Sequence, residues 1–288
     1  MLPAFDLLTP AAIPEACGMK LETGGKFLAG GTDILVSMHN GKERNNVLID
    51  LKGIEALKGF KIDKGLQFGA LTNHRAFEQS IHVKERYTAL FDGFSQVGSP
   101  QIRNRGTVGG NICNAVPSAD SIGPLLVLGA ECVIAGVDGE RTVPLCEFFV
   151  NVKKTVLGQG ELLKSVVVPE TANNSGSAYT KFTRRNAMDL ALIGVSCYII
   201  ADGERVGDLR IALTTAAPVP MRATDAEEFL IGKALGEAAI AEAADLAAGQ
   251  AKPRTSWRAS AKFRLSLVKE LTVRTVRLAA MRARGAAP

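Results

Sequence analysis

The chain is 288 residues long, 47% hydrophobic and 22% charged, with a net charge of +5 at neutral pH. That composition excludes a disordered or collagen-like chain and is enough for one large core or two to three smaller ones. The charge does not mark a uniformly basic nucleic-acid binder: from Lys252 onward ten Lys and Arg face the single acid Glu270, a net +9, while the rest carries −4.

The start, MLPAFDLLTP, lacks the basic and apolar regions of a secretory leader, and the longest apolar run, at 190–201, falls short of the roughly 20 residues of a membrane span. A cytoplasmic protein without a span is expected. From 26 to 50 the pattern reads strand, Gly-Gly-Thr turn, short helix with Ile34, Leu35 and Met38 on one face, Gly41 as its stop, then the strand VLIDL. LQFGALT follows as a strand. The apolar spacing of Phe77, Ile81, Leu90, Phe91 and Phe94 predicts a helical region over 76–97, in two pieces broken near Val83.

After a second glycine-rich loop, SADSIGPLLVLGA reads as a helix entered through Pro117 and Ser118, and ECVIAGVDGERTVPL as a hairpin turning at Asp138-Gly139. ELLKSVVVP is a buried strand, and TANNSGS is the best linker in the chain. Beyond it come AYTKF, a loop TRRNAMD, two strands separated by Asp202-Gly203, and three helices starting near Ala223, Gly236 and Ala259. Both halves are therefore α+β.

The five cysteines, Cys17, Cys113, Cys132, Cys146 and Cys197, form no CxxC pair, and the chain has three histidines, His39, His74 and His82. Reduced, buried thiols and no zinc or iron–sulfur site in this chain are the expectation. On the last helix Lys262, Lys269, Arg277 and Arg284 share one face opposite Leu265, Val268, Leu271, Leu278 and Ala279. That pattern suits packing on its own domain with a solvated face, or docking on an acidic partner. No helix-turn-helix and no aromatic interleaving supports nucleic-acid binding.

FLAGGTDI, at 27–34, fails as a Walker A loop, since Lys20 and Phe27 stand where Gly and Ser/Thr are needed, and its adjacent glycines fail the GxGxxG spacing. Its Gly-Gly-Thr turn at a helix start can serve as a tight turn or as an anion nest of successive amides. Asp33 suits the helix cap. The second loop, RNRGTVGGN, repeats the arrangement, with bare amides over Thr107–Asn111 expected, and Asp120 is expected on the first turn of the next helix. Two nests would suit one diphosphate held from both sides. Arg103 and Arg105, just ahead of Thr107, offer positive charge either to that site or to solvent or a partner.

AGGTDI, SPQIRNRGTVGGNICNAVPSAD, ELLKSVVVP, KFTRRNAMDLA and APVPMRATDAEEFLIG follow in the order and spacing seen in FAD-binding medium subunits of molybdenum hydroxylases, the xanthine dehydrogenase and carbon monoxide dehydrogenase family, which the chain resembles over nearly its whole length. The resemblance implies a vanillyl-alcohol-oxidase-type (PCMH-like) FAD-binding domain over 1–171, in subdomains of about 1–55 and 56–171. A C-terminal α+β domain of the CO dehydrogenase flavoprotein type would cover 177–288.

Carried over by position, Phe27, Leu28, Ala29, Gly30, Gly31, Thr32, Asp33 and Ile34 would wrap the FAD pyrophosphate and adenosine side. Gly98, Thr107, Gly109, Gly110 and Asn111 would close from the other subdomain. Asp120 would hold a flavin-side hydroxyl, Leu163 would contact the isoalloxazine region, Lys181 would reach the flavin from the second domain, and Leu190 would cover the ring. The resemblance implies no catalytic acid or base here. The family pattern Asp-x-Arg-Gly-Ser-x-x-Tyr-Arg is altered at Ser256 and Phe263, which weakens carry-over there, and a cysteine-bearing insertion for an extra 4Fe-4S cluster is absent.

The function implied is an electron-transfer subunit: FAD collects electrons from 2Fe-2S clusters in a small subunit, fed by a molybdopterin-binding large subunit, and passes them to NAD, a quinone or another acceptor. The assembly would be a heterotrimer or a dimer of heterotrimers. The alternatives are a stand-alone flavin reductase or oxidase of the same fold and a non-redox nucleotide-binding regulatory protein.

Overall fold

The computed structural model describes residues 1–285; residues 286–288, the end of the expected C-terminal domain, lie outside the described residues. The chain opens with β1 (Asp6–Leu8), α1 (Ile13–Thr23), β2 (Lys26–Leu28), α2 (Ile34–His39) and β3 (Val47–Asp50). These strands form a parallel sheet in the order β1-β3-β2, with Lys26 opposite Leu48 and Leu28 opposite Asp50. The expected strand–helix–strand unit is therefore present. Gly24 and Gly41 end α1 and α2 in the left-handed region, at φ +66° each, where a side chain would be strained.

A second, antiparallel sheet runs β4-β5-β10-β6-β7, from β4 (Phe60–Asp63), β5 (Gly65–Gly69), β6 (Glu131–Gly136), β7 (Gly139–Pro144) and β10 (Leu162–Val168). The small pair β8 (Phe149–Asn151) and β9 (Lys154–Thr155) lies between β7 and β10 in sequence. Six helices separate β5 from β6: α3 (His74–Gln79), α4 (Ile81–Arg86), α5 (Thr88–Phe94), α6 (Pro100–Arg105), α7 (Val108–Cys113) and α8 (Ile122–Val127). A single turn, α9 (Leu145–Phe148), follows β7.

The expected two-piece helical region is three helices, because Ser80 both ends α3 and caps α4 through the Val83 amide, and Tyr87 breaks the path to α5. Phe77 of α3 and Phe94 of α5 stack face to face at 4.2 Å, and Phe68 of β5 meets Phe77 edge to face at 4.8 Å.

The third sheet is β11-β12-β13-β14, from β11 (Ser175–Phe182), β12 (Ile193–Asp202), β13 (Arg205–Thr214) and β14 (Met221–Arg222), antiparallel throughout. α10 (Thr224–Leu230), α11 (Glu237–Gln250) and α12 (Ala261–Ala283) cover it. Gly176 allows the closest approach: a Cβ there would lie 2.2 Å from the Ala279 carbonyl oxygen of α12.

The basic face of α12 meets the acidic α11, with Lys269 2.5 Å from Asp245 and Arg277 paired with Glu237. Near its C-terminus Arg282 reaches back to α5, donating to Asp92 at 2.6 Å and to the Ser177 carbonyl at 2.7 Å. Ser177 in turn accepts the Ala89 amide through its hydroxyl. The C-terminal sheet is thus bolted onto α5.

Candidate functional site

The parallel pairing of β2 with β3 delivers the chain to 29–33, where Gly31 turns it at φ +77°. The amides of Gly30, Gly31, Thr32, Asp33 and Ile34 are not taken up by any backbone carbonyl of the described residues. Amides left without an acceptor are what an anion nest at this turn requires. Asp33 occupies the N-cap of α2, yet its side chain makes no capping bond, against expectation, because its backbone is already in the αR region rather than the extended one that aims a cap.

Residues 105–111 pack directly on this loop. A Cβ on Gly30 would lie 2.1 Å from the Arg105 carbonyl oxygen, one on Gly106 3.4 Å from the Thr32 hydroxyl, and one on Gly110 3.9 Å from the Ala29 methyl. The approach requires glycine at 30.

In the second loop, however, four of the five amides over 107–111 are taken up, and only that of Thr107 has no acceptor among the described residues. Val108 N–H donates to Thr72 O and Gly109 N–H to Ala70 O, both at 2.9 Å, Asn111 N–H donates to Thr107 O, and the Thr107 hydroxyl accepts Gly110 N–H at 3.1 Å. The expectation of a second nest is corrected: these groups anchor α7 to the end of β5. What the segment presents is a glycine surface and the Asn111 amide, whose oxygen accepts from Ser121 at 2.6 Å.

Beneath the loop lies His74, one of the three histidines, to which the sequence pattern assigns no role. Its backbone N–H donates to Gly106 O at 3.2 Å, and burial, with the charge of Arg103, lowers its imidazole to about 4, so it is neutral at physiological pH. Arg103 serves neither solvent nor the loop: it is buried, with a two-pronged bond to Glu78 at 2.8 and 3.0 Å and a third to Val97 O. That bond, more than charge alone, holds the Glu78 carboxyl below its usual value despite burial. Arg105 remains exposed. Nothing in the local pattern of residues 78 and 103 announces this pair.

Asp120 lies two residues before α8 rather than on its first turn, and is buried. One carboxylate oxygen accepts the Tyr179 hydroxyl at 2.7 Å, the other the Lys181 ammonium at 2.8 Å. Burial raises the Asp120 carboxyl, with Lys181 and Tyr179 pulling the other way, and burial with the Asp120 charge pushes the Tyr179 phenol well above its usual value. Lys181 also donates to Gln96 O at 3.1 Å and Asp189 O at 3.4 Å. Asp120 and Lys181, expected to act separately on a ligand, are therefore joined to each other.

Asp189 organises the loop over 183–190. Burial works to raise its carboxyl, but the amides of Arg184, Arg185 and Leu190 outweigh it and hold it below its usual value. Leu190, at the end of this loop, is 47% exposed. Leu163 sits at an irregularity in the β10–β6 pairing, opposite Ile134, with its side chain in the core. Gly98 is exposed at φ +51°, and Phe27, half-buried, has the Lys20 ammonium 5.1 Å from its ring centroid. The structure thus brings 29–34 together with 105–111, and Asp120 with Lys181.

The family model for the FAD-binding domain in molybdopterin dehydrogenase matches residues 3–171, and that for the CO dehydrogenase flavoprotein C-terminal domain matches 177–279. The chain is 33% identical over 254 residues to a xanthine dehydrogenase FAD-binding subunit of Escherichia coli O157:H7, covering 87% of each protein. It is 31% identical over 280 residues to the carbon monoxide dehydrogenase medium chain of Hydrogenophaga pseudoflava, covering 96% of this chain and 97% of that one. Among solved structures, carbon monoxide dehydrogenase from Hydrogenophaga pseudoflava matches with a TM-score of 0.95 at 32% identity, over 98% of this chain and 99% of that one. Quinoline 2-oxidoreductase from Pseudomonas putida 86 matches with a TM-score of 0.92 at 29% identity, over the same shares of each chain.

Proposed function

The chain belongs to the family of FAD-binding subunits of molybdopterin dehydrogenases, and from that membership we propose that it is the flavin-bearing, electron-transferring subunit of a molybdenum-containing hydroxylase or dehydrogenase complex. The single observation that carries the reading is the run of free amides over 30–34 packed against the glycine surface of 105–111. That surface has the chemistry a diphosphate needs: several successive N–H donors without an acceptor, at a turn built from glycines.

On this reading Phe27 to Ile34 hold the FAD diphosphate and adenosine side, Gly98, Thr107, Gly109, Gly110 and Asn111 wall it from the opposite loop, and Asp120, Leu163, Lys181 and Leu190 lie on the flavin side. Bound FAD supplies a redox centre that can take electrons singly and release a pair. The chain's own residues bind and orient. Asp120 and Lys181 fix the second domain against the first, and their joint neutrality keeps net charge off the flavin side. Neutral His74 supports residue 106 without adding a cation, and the Asp189-anchored loop sets where Leu190 stands. The division at 171–177 is the domain boundary we assign.

Partners follow from the same membership: a small 2Fe-2S subunit and a large molybdopterin-binding subunit, in a heterotrimer or a dimer of heterotrimers, in the cytoplasm, with NAD, a quinone or another compound as acceptor. Among the described residues no helix is long and apolar enough to cross a membrane.

The test is to purify the chain with its co-expressed subunits, release the flavin by denaturation and count FAD per chain. About one is expected, with absorbance bands near about 370 and 450 nm. A chain with no bound flavin after incubation with FAD would remove the reading.

A further inference from the structure

At the start of α12 the charges run against the helix dipole. Its first turn carries Lys262 and Arg264 and no acid, where the dipole favours carboxylates. Arg254 and Arg258 stand just ahead of it in the chain, and Arg184 lies on the neighbouring 183–190 loop. None of these five forms an ion pair among the described residues.

Arg264 is the sharpest case. It is 3% exposed, and its guanidinium donates only to neutral groups, the Leu192 carbonyl and the Ser256 hydroxyl, the latter at 3.2 Å. Its Nε has no partner. Burial, with the charges of Arg254 and Arg258, holds the group below its usual value. A buried cation answered only by neutral oxygens, with an N–H left over, is costly unless an anion arrives from outside the chain.

The surroundings decide what kind of anion. Trp257 is 82% exposed, with the guanidinium carbons of Arg184 and Arg258 5.6 and 5.3 Å from its ring centroid. Phe182 and Phe263, both exposed, meet edge to face at 6.0 Å. Among the described residues these three are the large exposed aromatic side chains, and Met188 on the adjoining loop is exposed as well. The one acid of that loop, Asp189, is turned onto its amides. A free oxyanion would answer the arginines but leave this apolar surface in water. Exposed Trp, Phe and Met among Arg is the composition of a protein interface centre.

We propose that this face docks a protein subunit that presents a carboxylate among apolar side chains. The carboxylate enters the cluster of Arg254, Arg258 and Arg264, and the apolar side chains cover Trp257, Phe263 and Phe182. The inference rests on the reading of the chain as one subunit of a complex, and it assigns that contact to one surface.

Two variants test it in the complex co-expressed with its own partner subunits, with dissociation on dilution followed by mass photometry. Trp257→Ala removes an exposed ring and should weaken assembly about 10-fold or more, with FAD content unchanged. Ser256→Asp places a carboxylate on the side chain that already accepts from Arg264 and from the Arg258 amide. It should raise the melting temperature of the isolated chain and weaken assembly, because the cluster is then answered from within.

Assembly unaffected by both variants overturns the docking face and leaves the functional reading standing. A chain that assembles with no other subunit removes both. If inorganic phosphate raises the melting temperature of the wild type but not of Ser256→Asp, and assembly is unaffected, the cluster takes free oxyanions and the docking proposal is overturned.

Discussion

Asp120 and Lys181 meet across the junction between the two parts of the chain, Oδ2 to Nζ at 2.8 Å, with side chains 8% and 9% exposed. The pair is closed on both sides, by Tyr179 on the carboxylate and by two carbonyls on the ammonium. Lys181→Met leaves the carboxylate buried and unpaired, a loss of about 3–5 kcal/mol at neutral pH. Burial already raises Asp120 above its usual value, and without Lys181 its folded-state value rises further, so the folded chain holds the proton more tightly than the unfolded one. The deficit therefore shrinks as pH falls toward the unfolded carboxyl value of about 4. Melting temperatures of both proteins at about pH 7.5 and about pH 5 check this; an equal deficit at the two would contradict it.

Gly30→Ala drives a methyl into the Arg105 carbonyl. Separation of the two loops should lower FAD occupancy at least about 10-fold, measured by flavin released per chain, because the nest loses its opposite wall. His39→Ala, on the exposed end of α2, should retain full flavin. Equal occupancy in the two variants would disconnect the loops from cofactor binding.

Asp189→Asn removes the charge that gathers the amides of Arg184, Arg185 and Leu190. Trypsin should then cut at the exposed Arg184 and Arg185 several-fold faster at neutral pH. Because the folded-state carboxyl value is depressed, its contribution in the wild type is fully present above the unfolded value of about 4 and is lost as pH falls through the folded one. Amide exchange of the loop as a function of pH should show that loss in the wild type and not in the variant.

Arg282→Ala severs the tie from α12 to Asp92 and the Ser177 carbonyl. Charge-assisted bonds of this partly buried kind are worth about 1.5–3 kcal/mol. Urea denaturation should show a lower midpoint, and a midpoint unchanged within error would place the tie among the neutral ones.

Thiol chemistry should separate one cysteine from four. Cys17, Cys132 and Cys197 are buried with thiols raised by burial, Cys113 is pushed up to about 12 by burial, and Cys146 is exposed. Reaction of the native chain with an aromatic disulfide should modify about one thiol quickly, at Cys146, and the remainder only on unfolding.

Much of the strand and helix order from residue 26 on could be read from periodicity and turn residues, and so could the turn at the first glycine loop, whereas β1, α1, β4, α6 and α7 could not. Which amides of the second loop were free could not. That depends on Ala70 and Thr72, over thirty residues upstream, whose carbonyls take the Gly109 and Val108 amides. The Arg103–Glu78 bond and the Asp120–Lys181 pair escaped for the same reason. Long-range pairs of charged residues leave no period in the sequence, and each partner taken singly looks solvated. The resemblance named Asp120 and Lys181 as members of one site, and only the fold shows that they bind each other.

The contact of Gly30 with Arg105 also sets an order of events during synthesis. The nest is complete in sequence once residue 34 is made, but its opposite wall ends at residue 111. A nascent chain paused between those points carries the amides without the cradle. If, as proposed, these two loops hold the diphosphate, flavin capture would wait until well over a third of the polypeptide has left the ribosome, and a flavin-loaded chain would show that its N-terminal segment had already found its distant counterpart.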